Sequence, residues 1–220
     1  MSEASSRPRG ADEWLVVIDP QFIFADPATS PWGSPMWART VPRIVDLARA
    51  YGPERTVVTR FIARPELGGS WASYYDEWAF ALVPEDDDLY AVVPELVGRG
   101  AHTLTAGTFG KWNADLRAIV GEQPTLTLAG VSTDCCVIST ALPAADAGAT
   151  IRVVPDACAG STAENHEHAL AVMALYGPQI TITSGSLSSA TDGSTVVTRP
   201  DSHQRTVSRG ASQRVCVPTT

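Results

Sequence analysis

Several features that would place this chain in a particular class of protein are missing from its sequence. Its 220 residues hold only strand-sized apolar runs, so no membrane-spanning segment is predicted. The first ten residues lack the apolar stretch of a secretory signal, and four cysteines, two of them adjacent, do not form a disulfide framework. A net charge of −8 with scattered arginines argues against a nucleic-acid surface. We therefore expect a cytoplasmic protein that binds neither nucleic acid nor membrane.

Lysine is almost absent. Of the sixteen basic residues fifteen are arginine, and Lys111 is the only lysine in the chain. Arginine replaces lysine on most surfaces, but not where a compact, titratable ammonium is needed. Lys111 is therefore a candidate for chemistry; the alternative is an ordinary solvated residue in the first turn of a helix.

What is present is an alternation of strand-like and helix-like segments. Such alternation predicts right-handed βαβ units, and therefore an α/β fold of three layers, doubly wound, with a mostly parallel sheet covered on both faces. The predicted strands are Trp14–Ile18, Thr56–Phe61, His102–Ala106, Thr125–Ala129, Ile151–Val154 and Ile180–Thr183. The predicted helices are Trp37–Ala50, Lys111–Val120, Cys135–Ala147 and Thr162–Tyr176.

The composition divides the chain into three parts. Residues 1–12 are small and polar and are expected to be disordered, whereas residues 13–184 have the apolar content of one folded domain. Residues 185–220 are rich in Ser, Thr and Arg, so they bury too little apolar surface to offset the entropy of ordering. A disordered tail is the prediction, with a partner-binding arm as the alternative.

The most informative segment is G-V-S-T-D-C-C-V, from Gly130 to Val137, directly after a predicted strand. A strand, a tight turn and a helix would place Cys136 in the first helical turn, where free N–H groups and the helix dipole lower a thiol's pKa. In open α/β sheets ligands bind at the carboxyl ends of the strands. Asp19 follows the first strand and Lys111 follows the third, so an acid, an ammonium and a thiol are expected to meet there. For each residue taken alone a structural role is the alternative: Cys136 would be a small core residue and Asp19 a turn residue.

With these motifs the chain resembles the isochorismatase-like cysteine hydrolases, a superfamily that includes nicotinamidases and N-carbamoylsarcosine amidases. The resemblance covers about Glu13 to Ser184, and its motifs are I-D-P-Q-F-I-F, T-F-G-K-W, G-V-S-T-D-C-C-V and P-D-A-C-A-G-S-T-A-E-N-H-E-H-A. It implies a six-stranded parallel sheet and an Asp–Lys–Cys triad made of Asp19, Lys111 and Cys136. The second cysteine is the match because the family places its nucleophile three residues after the Thr.

Two departures from the family pattern concern the lysine and the metal. Many members have the lysine at the end of the third strand, which corresponds here to Ala106. Either Lys111 reaches the site from the following turn or the chain lacks the third member, and Arg60 or Arg64 would then be the next source of positive charge. The metal-binding Asp-x-His of nicotinamidases has no counterpart, and His166 and His168 project to different faces of a helix. No metal and no other cofactor is expected.

The resemblance implies cysteine-dependent hydrolysis of a C–N bond in a small amide, ureido or imide substrate through a thioester. Asp19 would take the proton of Cys136, and the N–H groups of Ser132 and Cys136 would hold the oxyanion, with a cis peptide between Val131 and Ser132. The predicted outcome of Lys111→Ala is a raised thiol pKa and a much lower rate with little loss of stability.

Two alternatives to this activity remain open. One is an isochorismatase-type vinyl-ether hydrolase, which does not need the cysteine, and the other is a non-catalytic member of the same fold. A redox role of the adjacent cysteines would require a strained disulfide.

The substrate is expected to be bound by aromatic side chains after the first two strands, since such connections usually carry specificity. The candidates are Phe24, Trp71, Tyr74 and Trp78, and packing at a subunit interface is the alternative. The family commonly forms oligomers, so a homo-oligomer, a dimer or a tetramer, is expected.

Overall fold

A six-stranded, all-parallel sheet forms the centre of the protein. The computed structural model describes residues 13–183; the two predicted disordered segments, 1–12 and 185–220, lie outside the described residues. The strand order is β3-β2-β1-β4-β5-β6, which confirms the predicted doubly wound α/β fold. The strands are β1 (Glu13–Ile18), β2 (Thr56–Phe61), β3 (His102–Ala106), β4 (Thr125–Val131), β5 (Thr150–Ala159) and β6 (Ile180–Ile182).

Helices cover both faces of this sheet. One face is covered by helices α1 and α2 together with α3 and the rest of the long connection between β2 and β3, and the other by α4, α5 and α6. Their bounds are α1 (Phe22–Ala25), α2 (Trp37–Tyr51), α3 (Ser70–Glu77), α4 (Ala114–Val120), α5 (Ile138–Asp146) and α6 (Ala163–Ala174). Within residues 13–183 no helix is both long and apolar enough to cross a membrane.

The central strands are apolar along their whole length because neither of their faces meets water. Leu15 to Ile18 of β1 are fully buried, and alternate side chains enter the two cores on opposite faces of the sheet. β1 pairs with β2 on one side and with β4 on the other. The chain reverses its winding direction between β1 and β4, and that is where open α/β sheets bind their ligands.

The fifth strand is longer than the sequence predicted. It was expected to end at Val154 before Pro155, but it continues to Ala159. The pairing of β4 with β5 shifts its register between Leu128 and Gly130, and this irregularity accommodates the proline, which cannot donate to the ladder. Cys158 therefore pairs with Gly130 inside the sheet and does not face the site.

Candidate active site

Asp19 is held at the carboxyl end of β1 in a conformation that few residues other than glycine adopt. Its φ is 45°, in the left-handed region that Asp and Asn enter more readily than most residues. The Asp19 N–H donates to Thr59 Oγ1 at 3.0 Å, and the Thr59 hydroxyl donates to Asp19 Oδ1 at 2.6 Å. Both side chains are fully buried. Two neighbouring strands thus fix the position of one carboxylate.

Gln21 fastens the segment that carries Asp19. Its Nε2 donates to the carbonyl oxygens of Phe61 and Tyr90 at 3.0 and 2.8 Å, and its Oε1 accepts from the Phe61 N–H at 2.7 Å. The amide is buried and uses both of its ends on backbone groups. In the Asp-x-Gln motif, the aspartate therefore supplies the charge and the glutamine holds the turn against β2.

Lys111 is the ionic partner of Asp19. Its Nζ lies 3.0 Å from Asp19 Oδ2 and donates to the Thr108 carbonyl at 2.6 Å, with both side chains of the pair fully buried. Oδ2 has no hydrogen-bond partner beyond this contact in the described part of the chain. Burial lowers the pKa of Lys111, but its acidic neighbours, Asp19 first, raise it more, and its net pKa is above the ordinary value. The lysine is therefore an ammonium at neutral pH.

The lysine reaches inward because it precedes its helix. The sequence predicted a helix from Lys111, but α4 begins at Ala114, where the Asn113 side chain caps it by accepting from the Leu116 N–H at 2.9 Å. Residues 111–113 are consequently not helical, and Lys111 is not the solvated first-turn residue that was the alternative. Arg60 and Arg64, the fallback sources of positive charge, both bind Glu85.

Cys136 lies in a single π-helical turn, Thr133–Val137, between β4 and α5. The Ser132 carbonyl accepts from the N–H groups of Cys135 and Val137 at 3.1 and 3.0 Å, so the turn closes around Ser132. The Val131–Ser132 peptide is cis. Such turns are rare and are frequent at functional sites.

Glycine at position 130 allows β4 to approach β1 at this point. Gly130 has φ of 117°, and a Cβ atom there would lie 2.2 Å from the carbonyl oxygen of Ile18. Any larger residue would push the turn that carries Cys136 away from the end of β1, next to Asp19.

Two side-chain contacts fix the turn that carries Cys136, Thr133–Val137, to the segment after β5. The Thr133 hydroxyl lies 2.8 Å from Nδ1 of His166, which is buried in α6. The Asp134 carboxylate accepts from the N–H and the hydroxyl of Ser161 at 2.8 and 2.6 Å. His168, by contrast, is exposed, so the prediction that the two histidines face different sides is confirmed. The role of His166 was missed in the sequence, although it lies in the fourth motif.

The pKa of the Cys136 thiol is raised, where the sequence predicted a lowered one, and the hydrogen bond between the two cysteines lowers the pKa of Cys135 instead. The hydrogen bond with Cys135, burial and the Asp19 carboxylate raise the pKa of Cys136 well above the usual value, and the Lys111 ammonium lowers it only in part. The helix-terminus argument neglected burial, which disfavours the charged form of any thiol.

A cavity of about 320 Å³ is lined by Cys136, whereas the fully buried Asp19, Thr59 and Lys111 do not belong to its lining. We call Asp19, Thr59, Lys111 and Cys136 the charged floor. The rings that surround the cavity form the aromatic wall, which consists of Phe24, Trp32, Phe61, Tyr74, Trp78 and Phe109. Ser132, Asp134, Cys135 and Ser161 complete the polar part of the lining. The floor meets the wall at Phe61, whose ring centroid lies 5.5 Å from Lys111 Nζ.

Three of the four aromatic residues expected to bind substrate line this cavity: Phe24, Tyr74 and Trp78. Trp71 does not; it packs behind the wall on Tyr74, Tyr75 and Phe109. Trp71 and Tyr74 lie one turn apart on the same side of α3, where their rings contact each other, and Tyr74 is the one that lines the cavity. Trp32, which belongs to the aromatic connection after β1 but is not one of the four candidates, also lines the cavity and contacts five other rings.

The charge of the cavity is carried by one acid. Among residues 13–183 Asp134 is the only carboxylic acid in the lining; burial raises the pKa of Tyr74, and the hydrogen bond with Cys136 lowers the pKa of Cys135. No arginine or lysine of the described residues belongs to the lining. The same residues contain no cluster of three or more His, Cys, Asp or Glu side chains that could hold a metal ion.

Several solved structures share this fold. A cysteine hydrolase from Pseudomonas syringae pv. phaseolicola 1448A is 19% identical, with a TM-score of 0.65 over 83% of this chain and 94% of its own. N-carbamoylsarcosine amidase from Thermoplasma acidophilum is 21% identical, with a TM-score of 0.59 over 79% of this chain and 96% of its own. A pyrazinamidase/nicotinamidase from Streptococcus mutans UA159 is 20% identical, with a TM-score of 0.58 over 77% and 99%.

At such identities these likenesses concern the fold alone. None of the curated proteins compared with the sequence matches it significantly. The profile of the isochorismatase domain, however, matches residues 13–184, which is most of the chain. The protein therefore belongs to the isochorismatase family of hydrolases.

Proposed function

We propose that this protein hydrolyses a C–N bond of a small, uncharged amide, ureide or imide through a thioester on Cys136. The observation that carries the proposal is the fully buried ion pair of Asp19 and Lys111 close to Cys136, the thiol that lines the cavity. A buried carboxylate close to a thiol is a proton acceptor for that thiol. A purely structural ion pair has no need of a thiol next to it.

In the first half of the reaction, Asp19 Oδ2 takes the proton of Cys136 and the sulfur attacks the substrate carbonyl carbon. The carbon–sulfur bond forms, and the carbonyl electrons become an oxyanion, for which the backbone N–H groups of Ser132 and Cys136 are the proposed donors. The oxyanion then collapses and breaks the C–N bond. The leaving nitrogen takes the proton from Asp19, and the acyl group remains on the sulfur.

In the second half, Asp19 accepts a proton from water, which attacks the thioester. The carbon–sulfur bond breaks, and the acid leaves as Cys136 regains its proton from Asp19. Lys111 stays charged throughout and favours the ionised forms of the two groups that exchange the proton. Every proton thus returns to its place at the end of the cycle.

The cavity supports an uncharged substrate. Transfer of a carboxylate into an apolar site is costly unless a cation pairs with it, and the described lining offers Asp134 and no arginine or lysine. The aromatic wall offers flat apolar surfaces on which a planar amide or ring can stack. Isochorismate is a dicarboxylate, so the same argument disfavours the vinyl-ether alternative.

The test is a hydrolysis screen over amides, ureides and cyclic imides, each supplied as a matched pair with and without a carboxylate. Ammonia release or ring opening is measured for the wild type, Cys136→Ala and Cys158→Ala. We expect the uncharged members to be turned over and Cys136→Ala to lower kcat/KM by about 10⁴-fold or more. Cys158→Ala removes another buried thiol, within the sheet, and should retain turnover.

Turnover that survives in Cys136→Ala would overturn the thioester mechanism. A preference for the carboxylate-bearing members would overturn the substrate class. Loss of turnover in Cys158→Ala to the same extent would mean that the thiols act through stability and not through chemistry.

A further inference from the structure

Thr140 connects the lysine to the nucleophile. Its hydroxyl donates to the Cys136 carbonyl at 2.7 Å, one helical turn back, and accepts from the Lys111 N–H at 3.0 Å. The side chain is fully buried, so water does not compete for either bond. One hydroxyl thus joins the backbone of Lys111 to the backbone of Cys136, although the two residues lie on different connections.

A second observation places the same two segments in contact. A Cβ atom at Gly110 would lie 2.6 Å from the Ser139 carbonyl oxygen in α5, a distance that side chains do not tolerate. Glycine at 110 lets the lysine-bearing segment lie directly on the helix that follows Cys136. The close approach and the hydroxyl bridge act on neighbouring residues, 110 with 139 and 111 with 140.

We propose that Thr140 is a positioning residue, which sets the Lys111 ammonium against Asp19 and Cys136 by locking residues 110–111 onto the start of α5. This inference rests on the proposed function, in which Lys111 favours the ionised forms of Asp19 and Cys136. Lys111 can do so only if its segment is held in place.

The backbone of Lys111 needs a partner outside the sheet because of its place in the chain. A residue at the end of β3 would be fixed by the ladder of the sheet, which pairs β2 and β3 as far as Ala106. Lys111 comes five residues later, in a connection that is neither strand nor helix. Its backbone therefore needs another partner, and Thr140 is the buried side chain that accepts its N–H.

The experiment compares Thr140→Val, Thr140→Ser and the matched control Thr40→Val. Thr40 is also a buried helical threonine, and its hydroxyl donates to the carbonyl four residues back, of Met36, at 3.0 Å, but it does not touch the site. Each variant is measured for Tm, for kcat and KM, and for the pH profile of Cys136 alkylation by iodoacetamide, followed by mass spectrometry. All variants carry Cys135→Ala, so that the groups left to influence Cys136 are Asp19 and Lys111.

Both valine variants should lower Tm. Only Thr140→Val should also shift the alkylation profile to higher pH, because the ammonium that favours the thiolate is displaced, and lower kcat by roughly 10-fold or more with little change in KM. Thr140→Ser keeps the hydroxyl and should restore both readouts. If Thr140→Val fails to fold, Gly110→Ala, which pushes the same segment off α5, should give the same shift.

Identical alkylation profiles for Thr140→Val and Thr40→Val would overturn the proposal, as would a failure of serine to rescue. Alkylation needs no substrate. It therefore reports on the contact between Thr140 and the Lys111 segment even if Cys136→Ala showed that the protein does not use a thioester. Failure of the positioning role and failure of the proposed function are therefore separate results.

Discussion

The charged floor and the aromatic wall are built on opposite principles. Each floor residue is fixed by specific polar partners: Thr59 holds Asp19 through two hydrogen bonds, and Lys111 contacts both Asp19 and Thr108. The rings of the wall instead hold one another. Trp32 stacks on Phe24 with their planes 5° apart and meets Phe61, from β2, edge to face.

The charged floor and the aromatic wall are therefore suited to two different tasks. Polar contacts with defined directions place charges to within a few tenths of an ångström, which proton transfer requires. Ring contacts define a volume and a surface, which is sufficient to select a substrate by shape. We therefore expect changes in the floor to act on kcat and on the pKa of the thiol, and changes in the wall to act on KM and substrate preference.

The largest expected effect comes from breaking the floor at Lys111. Lys111→Met should lower kcat by about 10²-fold or more and raise the pKa of Cys136, because the ammonium no longer favours the ionised forms. The expectation from sequence of little loss in stability is revised. Both partners are fully buried, so the variant leaves an unpaired buried carboxylate and should lower the free energy of unfolding by about 3–5 kcal/mol.

The double variant Asp19→Asn/Lys111→Met tests this separation of stability from chemistry. Neutralising both partners should restore much of the free energy of unfolding measured in urea, but no turnover. Lys111→Arg should keep the charge and still fail, because a planar guanidinium does not fit a fully enclosed ammonium site. Turnover close to wild type in any of these variants would contradict a catalytic lysine.

A smaller effect is expected from opening the wall at Trp32. Trp32→Ala removes the ring that five others contact, so KM for a planar uncharged amide should rise about 10-fold while kcat changes less. The measurement is steady-state kinetics on the best substrate of the screen.

Trp71→Ala is the matched comparison, since this ring packs behind the wall and does not line the cavity. It should raise KM less than Trp32→Ala does. A larger effect at Trp71 would favour the original sequence prediction that this residue binds substrate.

The smallest effect concerns the contact between Thr133 and His166. Burial lowers the pKa of His166 below that of the unfolded chain. As the pH falls from about 7 to about 5, the unfolded state therefore takes up the proton first, and the free energy of unfolding decreases, by at most about 1.4 kcal/mol per pH unit for one proton. His166→Gln should reduce this slope in urea titrations at several pH values.

His168→Gln is its control, because this histidine lies two residues further along the same helix and is exposed. An equal change in the two variants would mean that the acid sensitivity does not come from the buried ring.

The sequence predicted those site residues whose place is set locally. Asp19 directly follows β1, and Cys136 lies in the turn that leads from β4 into α5, so the strands and the motif were enough to place both at the same edge of the sheet. The predicted start of α4 at Lys111 was wrong, because Asn113 caps the helix and α4 begins only at Ala114. Lys111 therefore lies before the helix, in the interior. The raised pKa of Cys136 could not be predicted from the sequence either, since burial is a property of the whole fold and not of the turn.

The arrival of the lysine five residues after β3 has a consequence for tracing the relatives of this chain. A comparison that requires lysine at the strand end finds Ala106 and would discard the chain as inactive. The Lys111 ammonium nevertheless lies 3.0 Å from the Asp19 carboxylate. The position of an ammonium in space, and not its position along the chain, is therefore what a search for this site should compare.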